Sequence, residues 1–408
     1  MTDIMKGVRI LEVAEHTFVP AASAILADWG AEVIKVEHVE RGDAMRGLAS
    51  SGVMAMGGDV HVLLEHSNRG KKSIGIDLST PKGIDVVYRL AATCDVFLTN
   101  KLPAVRKKLH VELDDIRAHN PNIIYVAGTG GGERGPDADK GGYDFLSYWC
   151  RAGSAMGCTP VDAEGLVAQP APGYGDSIGG MTIAGGIMGA LFHRERTGEA
   201  TSVDVSLLSV GLWAMSPAVA LSLQTNSAWR PPSGSGGGGG PSNPLVGVYQ
   251  TEDQRFVAMS CLQGFYYWPS ACRAVGREDL ITDERFASHE LLAANAGVAR
   301  EILTTVFAAA PLAEWRERLA TFDGQWSIAQ DSLEVVDDPQ VVANGYLGET
   351  VNAAGIPFNL VTVPVQFGGV AAAPGRAPDF NEHCDEILAS VDFAPEAVLE
   401  LKIEGVVA

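Results

Sequence analysis

The sequence is poor in cysteine, and what it has is not arranged for chemistry. Its six cysteines lie at positions 94, 150, 158, 261, 272 and 384, and no pair has the C-x-x-C spacing of a zinc or redox site. The opening Met1-Thr2-Asp3-Ile4-Met5-Lys6 lacks the basic segment and apolar run of a secretory leader. The thiols therefore read as free groups in a reducing compartment, which predicts a cytoplasmic protein. Basic residues are also scarce: 30 Lys and Arg against 50 Asp and Glu leave a net charge of −20. That balance argues against a duplex nucleic-acid binder, which needs a basic face to displace counterions. Long apolar runs are missing too. The stretch after Met181 is interrupted by glycine and closes on His193-Arg194-Glu195-Arg196, short of the roughly 20 residues a membrane span requires. No metal-ligand cluster stands out, so neither a metal nor a redox cofactor is expected.

With 408 residues, 46% of them hydrophobic, the chain suits a globular protein of two or three domains. Over the first 130 residues, strand-like and helix-like segments alternate. Residues 8–13, 32–37, 73–77, 95–98 and 123–127 read as buried strands; 21–29, 81–92 and 112–119 read as helices. Such alternation implies βαβ units and an α/β fold with a mostly parallel, doubly wound, Rossmann-like sheet. From Tyr143 to about Gln224 the spacing is helical. Gly236 to Gly240 form a five-glycine run, either a linker at a domain border or a mobile flap. Beyond it, residues 245–249 and 256–260 flank a turn and predict a hairpin, and helices are expected at 266–275, 298–309 and 312–319. The expected division is a large domain over 1–225, a small α+β domain over 226–330, and a segment 331–408 that returns to the first.

Certain residues carry a more specific signal. The opening Gly7-Val8-Arg9-Ile10-Leu11-Glu12, then Pro20 and the run from Ala27-Asp28-Trp29-Gly30 to Val36-Glu37, resemble the N-terminal signature of class III CoA-transferases, a family that includes formyl-CoA and carnitine CoA-transferases and α-methylacyl-CoA racemases. The resemblance continues through Asn68-Arg69-Gly70-Lys71-Lys72, Asn100, Pro103, Lys108, Gly142-Tyr143-Asp144, Gly175-Asp176-Ser177 and Ala377-Pro378, so it spans nearly the whole chain. It implies an interlocked homodimer acting on an acyl-CoA and a carboxylic acid.

Asp176 is similar to the family's nucleophilic aspartate. Glycines flank it, and an apolar helix follows, whose free amides and dipole would favour an ionised carboxylate and steady an oxyanion. The plainer reading is that Asp176 only caps that helix. In the family's racemases the position corresponding to Tyr143 resembles a histidine in Gly-His-Asp, and a phenol with an ordinary pKa near 10 is a poor base for α-proton abstraction. Transfer is therefore favoured over isomerisation, with a non-catalytic CoA-binding subunit as the remaining alternative. Asp144 is a candidate second carboxylate, and Gly238 and Gly239 belong to the expected flap over the aspartyl intermediates.

Coenzyme A carries phosphates, so an acidic protein must gather cations to hold it. The resemblance implies contacts from His16, Thr17, His38, Lys71, Lys72, Asn100, Lys101 and Lys108, near the basic run Arg106-Lys107-Lys108. Thr17 replaces a glutamine of the formyl-CoA enzymes, which speaks against an oxalate-type substrate. Phe18, Tyr148, Trp149 and Met156 point either to a larger apolar acyl group or simply to core.

Overall fold

The computed structural model describes residues 3–50, 58–231 and 242–408. These divide into two compact units, one of Met1–Ser154, Ala168–Ala220 and Pro339–Ala408, the other of Ala155–Val167 and Leu221–Asp338. Gly238 and Gly239 of the expected flap lie outside the described residues.

The chain runs β1 (Arg9–Val13), α1 (Phe18–Asp28), β2 (Glu32–His38), α2 (Val62–Asn68), β3 (Lys72–Ile76), α3 (Pro81–Ala92), β4 (Val96–Thr99), α4 (Pro103–Leu109), α5 (Leu113–Arg117) and β5 (Ile124–Thr129). It continues through a π-helical segment at Phe145–Arg151, then α6 (Ser154–Cys158), α7 (Tyr174–Thr197), β6 (Ser202–Ser206), α8 (Leu207–Ala214) and α9 (Ser216–Thr225). All six strands of the first unit run parallel, in the order β3-β2-β1-β4-β5-β6. The apolar runs read as strands are buried on both faces, as a helix-covered parallel sheet demands. Order and direction match the mixed α/β architecture expected from the alternation.

Two elements differ from the spacing. Ser202–Ser206, inside the stretch read as helical, is the sixth strand. It occupies the sheet edge and is partly exposed, so it lacks the apolar run of its neighbours. The helical spacing read to about Gln224 breaks near Met215 into α8 and α9, because Pro217 cannot continue the preceding hydrogen-bond ladder. The seven-residue α4 was too short to show a period; Pro103 opens it and left-handed His110 ends it.

In the second unit, β7 (Val246–Gln250) and β8 (Phe256–Ser260) form the expected hairpin. After α10 (Gly264–Ala274), α11 (His289–Ala294), α12 (Ala296–Phe307) and α13 (Leu312–Leu319), β9 (Trp326–Ile328) completes a three-stranded antiparallel sheet. Trp268, Phe307 and Trp315 fill its core. The chain then rejoins the first unit through α14 (Pro339–Asn344), the hairpin β10 (Leu347–Val351) and β11 (Pro357–Val361), α15 (Cys384–Ala389) and α16 (Pro395–Ile403). There Ile387, Leu388 and Leu401 pack into the same core as Ile74, Phe97 and Val86.

Among the described residues no single helix is long and apolar enough to cross a membrane.

Candidate active site

The strand order reverses direction between β1 and β4, and in open parallel sheets ligands bind in the crevice beyond the carboxyl ends of the strands at such a switch point. A cavity of 380 Å³ opens there, its walls coming from the loop after β1 (Glu15, His16), the loop after β4 (Asn100, Lys101) and the end of β5 (Thr129, Gly130). Tyr143 and Asp176 complete it. All of these residues belong to the first unit.

Asp176 is the third residue of α7. Its two glycine neighbours serve protein packing rather than substrate space. A Cβ on Gly175 would sit 2.3 Å from the Tyr148 ring and 2.4 Å from the Asp144 carboxylate. One on Gly179 would sit 2.3 Å from the Phe18 ring. Those absences let α7 settle against α1 and against the 145–151 segment, and this close seating brings Asp176 to the cavity wall. Among the described residues no hydrogen-bond or ion-pair partner engages the Asp176 carboxylate.

The helix N-terminus, however, is already occupied. Both oxygens of Asp144 accept the Gly175 N–H at 3.1 Å, and the Asp176 amide also faces them. The amides expected to serve an oxyanion are thus held by a neighbouring carboxylate. The electrostatic expectation for Asp176 reverses as well: burial, then the Asp144 charge, pushes its pKa up to about 7. Burial likewise raises Asp144, opposed by its bonds from Gln169 and Gly175. Ser177 donates to Gly173 O at 2.9 Å and meets His66 Nε2 at 3.1 Å. Burial and then the Arg69 charge lower His66 to about 4, so the imidazole is neutral.

His16 adopts a left-handed backbone (φ 69°). The conformation is held by Asp43, whose Oδ1 accepts the His16 N–H at 3.0 Å while Oδ2 pairs with Lys35 at 2.7 Å. The ring of His16 meets that of Tyr143 edge-on at 5.5 Å. Asn100 clamps residue 15, its Oδ1 accepting Glu15 N–H at 3.2 Å and its Nδ2 donating to Glu15 O at 2.7 Å. Lys101 forms an ion pair with the Glu15 carboxylate.

The structure thus gathers Asp176, Tyr143, His16, Asn100 and Lys101 around one cavity, with Asp144 directly behind. It does not bring in the remaining expected CoA contacts. Lys71 is sealed in the core, its ammonium bonded to Glu12 (2.7 Å), Pro20 O (2.9 Å) and Asn68 (3.2 Å). Lys72 starts β3 at the opposite end of the sheet and pairs with Glu32 and Glu386 at the surface. Thr17 is the buried residue that opens α1, and His38 is the exposed last residue of β2; neither lines the cavity. Lys108 stands on the exposed side of α4, again outside the lining.

Sequence reasoning missed Glu15, Thr129 and the loop after β5. The run Gly128-Thr129-Gly130-Gly131-Gly132, which closes β5 and leads out of it, was an available signal; nothing about Glu15 was. Among the described residues no group of three or more His, Cys, Asp or Glu could hold a metal ion.

The CoA-transferase family III model matches residues 5–384. The chain belongs to CoA-transferase family III. Within that family it is 27% identical over 405 residues to (R)-2-hydroxy-4-methylpentanoate CoA-transferase of Clostridioides difficile, covering 99% of both chains. It is 27% identical over 405 residues to cinnamoyl-CoA:phenyllactate CoA-transferase of Clostridium sporogenes, covering 98% of this chain and 96% of the other. The crystal structure of a CAIB/BAIF family protein from Brucella suis matches with a TM-score of 0.79 at 25% identity, covering 95% of this chain and 99% of that one. The protein is a CoA-transferase, and acyl-CoA is its substrate.

Proposed function

We propose that Asp176 is the covalent nucleophile of a transfer between an acyl-CoA and a carboxylic acid. The observation that carries this reading is a carboxylate, without a hydrogen-bonding partner among the described residues, on the wall of the switch-point cavity.

Ionised Asp176 attacks the thioester carbonyl, the C–S bond breaks, and CoA leaves as a thiolate, giving a mixed anhydride. The thiolate attacks the aspartyl carbonyl and expels the donor acid, leaving an aspartyl-CoA thioester. The acceptor carboxylate attacks that carbonyl and expels the thiolate, forming a second anhydride. Thiolate attack on the acceptor's acyl carbon then releases the new CoA ester and regenerates Asp176. Each step exchanges one acyl leaving group for another, which is what a covalent route gains. Asp144 holds the helix start in place. Lys101 at the cavity, with Lys108 beyond it, supplies cations toward the CoA phosphates. The Tyr143 phenol at the rim is an oriented donor for acyl oxygens.

A homodimer is supported by unburied apolar surface: α9 has no buried residue, and Trp213 and Phe192 are 81% and 68% exposed.

The test is single turnover with acyl-CoA followed by hydroxylamine and peptide mass spectrometry. A hydroxamate on Asp176, lost in Asp176→Ala together with transfer, is the expected outcome. Substantial turnover by Asp176→Ala would remove the mechanism, and solvent deuterium entering the α-carbon without an acceptor acid would replace transfer by isomerisation.

A further inference from the structure

The charge inventory of the cavity bears on which acids it admits. Lys101 is the single Lys or Arg on its described lining, and its ammonium is already engaged by Glu15. The side chains of that pair are only 21% and 17% exposed, so their attraction is not simply a solvent-screened surface contact. Arg41 approaches the other Glu15 oxygen at 3.5 Å from a position 62% exposed. The amide of Asn100 is held by the backbone of residue 15 on both its oxygen and its nitrogen. The hydroxyl of Thr129 accepts the Gly132 N–H at 2.9 Å and carries no charge to offset an anion. Phe18, Leu102, Val105 and Leu207 supply the apolar part of the wall, beside the rings of His16 and Tyr143 and the carboxylate of Asp176.

Resting on the acyl-transfer reading of this cavity, we propose that Glu15 is a charge filter that restricts the enzyme to acids with a single carboxylate and an apolar or hydroxylated chain. The reacting carboxylate is oriented by the chemistry at Asp176. A second carboxylate on the same acid would leave water for a described wall that offers it the carboxylates of Glu15 and Asp176 and no uncommitted Lys or Arg. An ion desolvated without a partner is strongly disfavoured, whereas an alkyl chain meets Phe18, Leu102 and Val105 favourably.

Chain-matched acids separate charge from size. With acetyl-CoA and butyryl-CoA as donors, pentanoate is compared with glutarate and hexanoate with adipate, the new CoA esters being read by mass. The wild-type enzyme is expected to favour the monocarboxylate of each pair by about 100-fold or more in kcat/KM. Glu15→Gln keeps the side chain's size and frees Lys101, so the ratio should move toward the dicarboxylate by at least about tenfold; adding Lys101→Met should abolish that gain. Equal wild-type use of both members of a pair overturns the filter while leaving the transferase reading intact. An unchanged ratio in Glu15→Gln overturns the role of Glu15. Failure of every acid to form a CoA ester, with no aspartyl adduct, removes the reading beneath it.

Discussion

The Asp144 carboxylate sits across the first turn of the helix that carries Asp176, accepting the Gly175 N–H at 3.1 Å with each oxygen. One acid therefore caps the helix while its charge opposes ionisation of the other. A nucleophile must be ionised to attack, so the pair places a titration inside the working pH range.

With Asp176 pushed up to about 7 by burial and by Asp144, kcat/KM for the acyl-CoA should fall about tenfold per pH unit on the acid side and level off above about pH 7. Asp144→Asn keeps an acceptor for the Gly175 amide but removes the charge, so the limb should move to lower pH. A limb that stays in place in Asp144→Asn shows that burial alone sets it.

The same elevation has a thermodynamic sign. In the unfolded chain Asp176 ionises near its ordinary value of 3.8, so folding works against its ionised form. The penalty is complete above about pH 7, shrinks as pH falls, and vanishes below 3.8. Asp176→Asn should therefore raise Tm at pH 8 by about 2–4 °C and have no such effect near pH 3.5. Calorimetry across that range checks it; a loss of stability at pH 8 contradicts it.

Two lysines from the expected CoA set should behave in opposite ways. Lys71→Met leaves the buried Glu12 carboxylate with less compensation and should destabilise the fold by about 3–5 kcal/mol, seen as a lowered urea midpoint. Lys101→Ala should leave that midpoint nearly unchanged and raise KM for CoA esters about tenfold. A stable Lys71→Met enzyme with a selectively raised KM would return Lys71 to the ligand.

Much of the sheet was legible because a strand buried on both faces leaves a continuous apolar run, as in Ile10-Leu11 and Val96-Phe97-Leu98. β6 lacked that imprint because only one end of it is covered. Asp176, Tyr143, His16 and Asn100 were found by motif and meet in space. Lys71 and Lys72 show the limit of a charge run: adjacent in sequence, one points into the core and the other toward the surface, because successive residues entering a strand face opposite ways. Glu15 was invisible because its importance lies in what faces it, which no local pattern records.

The ionic lattice beneath the cavity has a mechanical consequence. Lys35 joins Glu12 (2.8 Å) to Asp43 (2.7 Å), and Lys71 reaches the far oxygen of Glu12 (2.7 Å), riveting β1, β2, the turn after it and the entry to β3 into one block. A foundation fixed at so many points is expected to open less often than the loops above it. Admission of each acid then falls to the rim, where Tyr143 is 64% exposed. Amide exchange should run slowest through β1 and β2 and markedly faster across residues 141–145; uniform protection across both would show that the whole site moves as one.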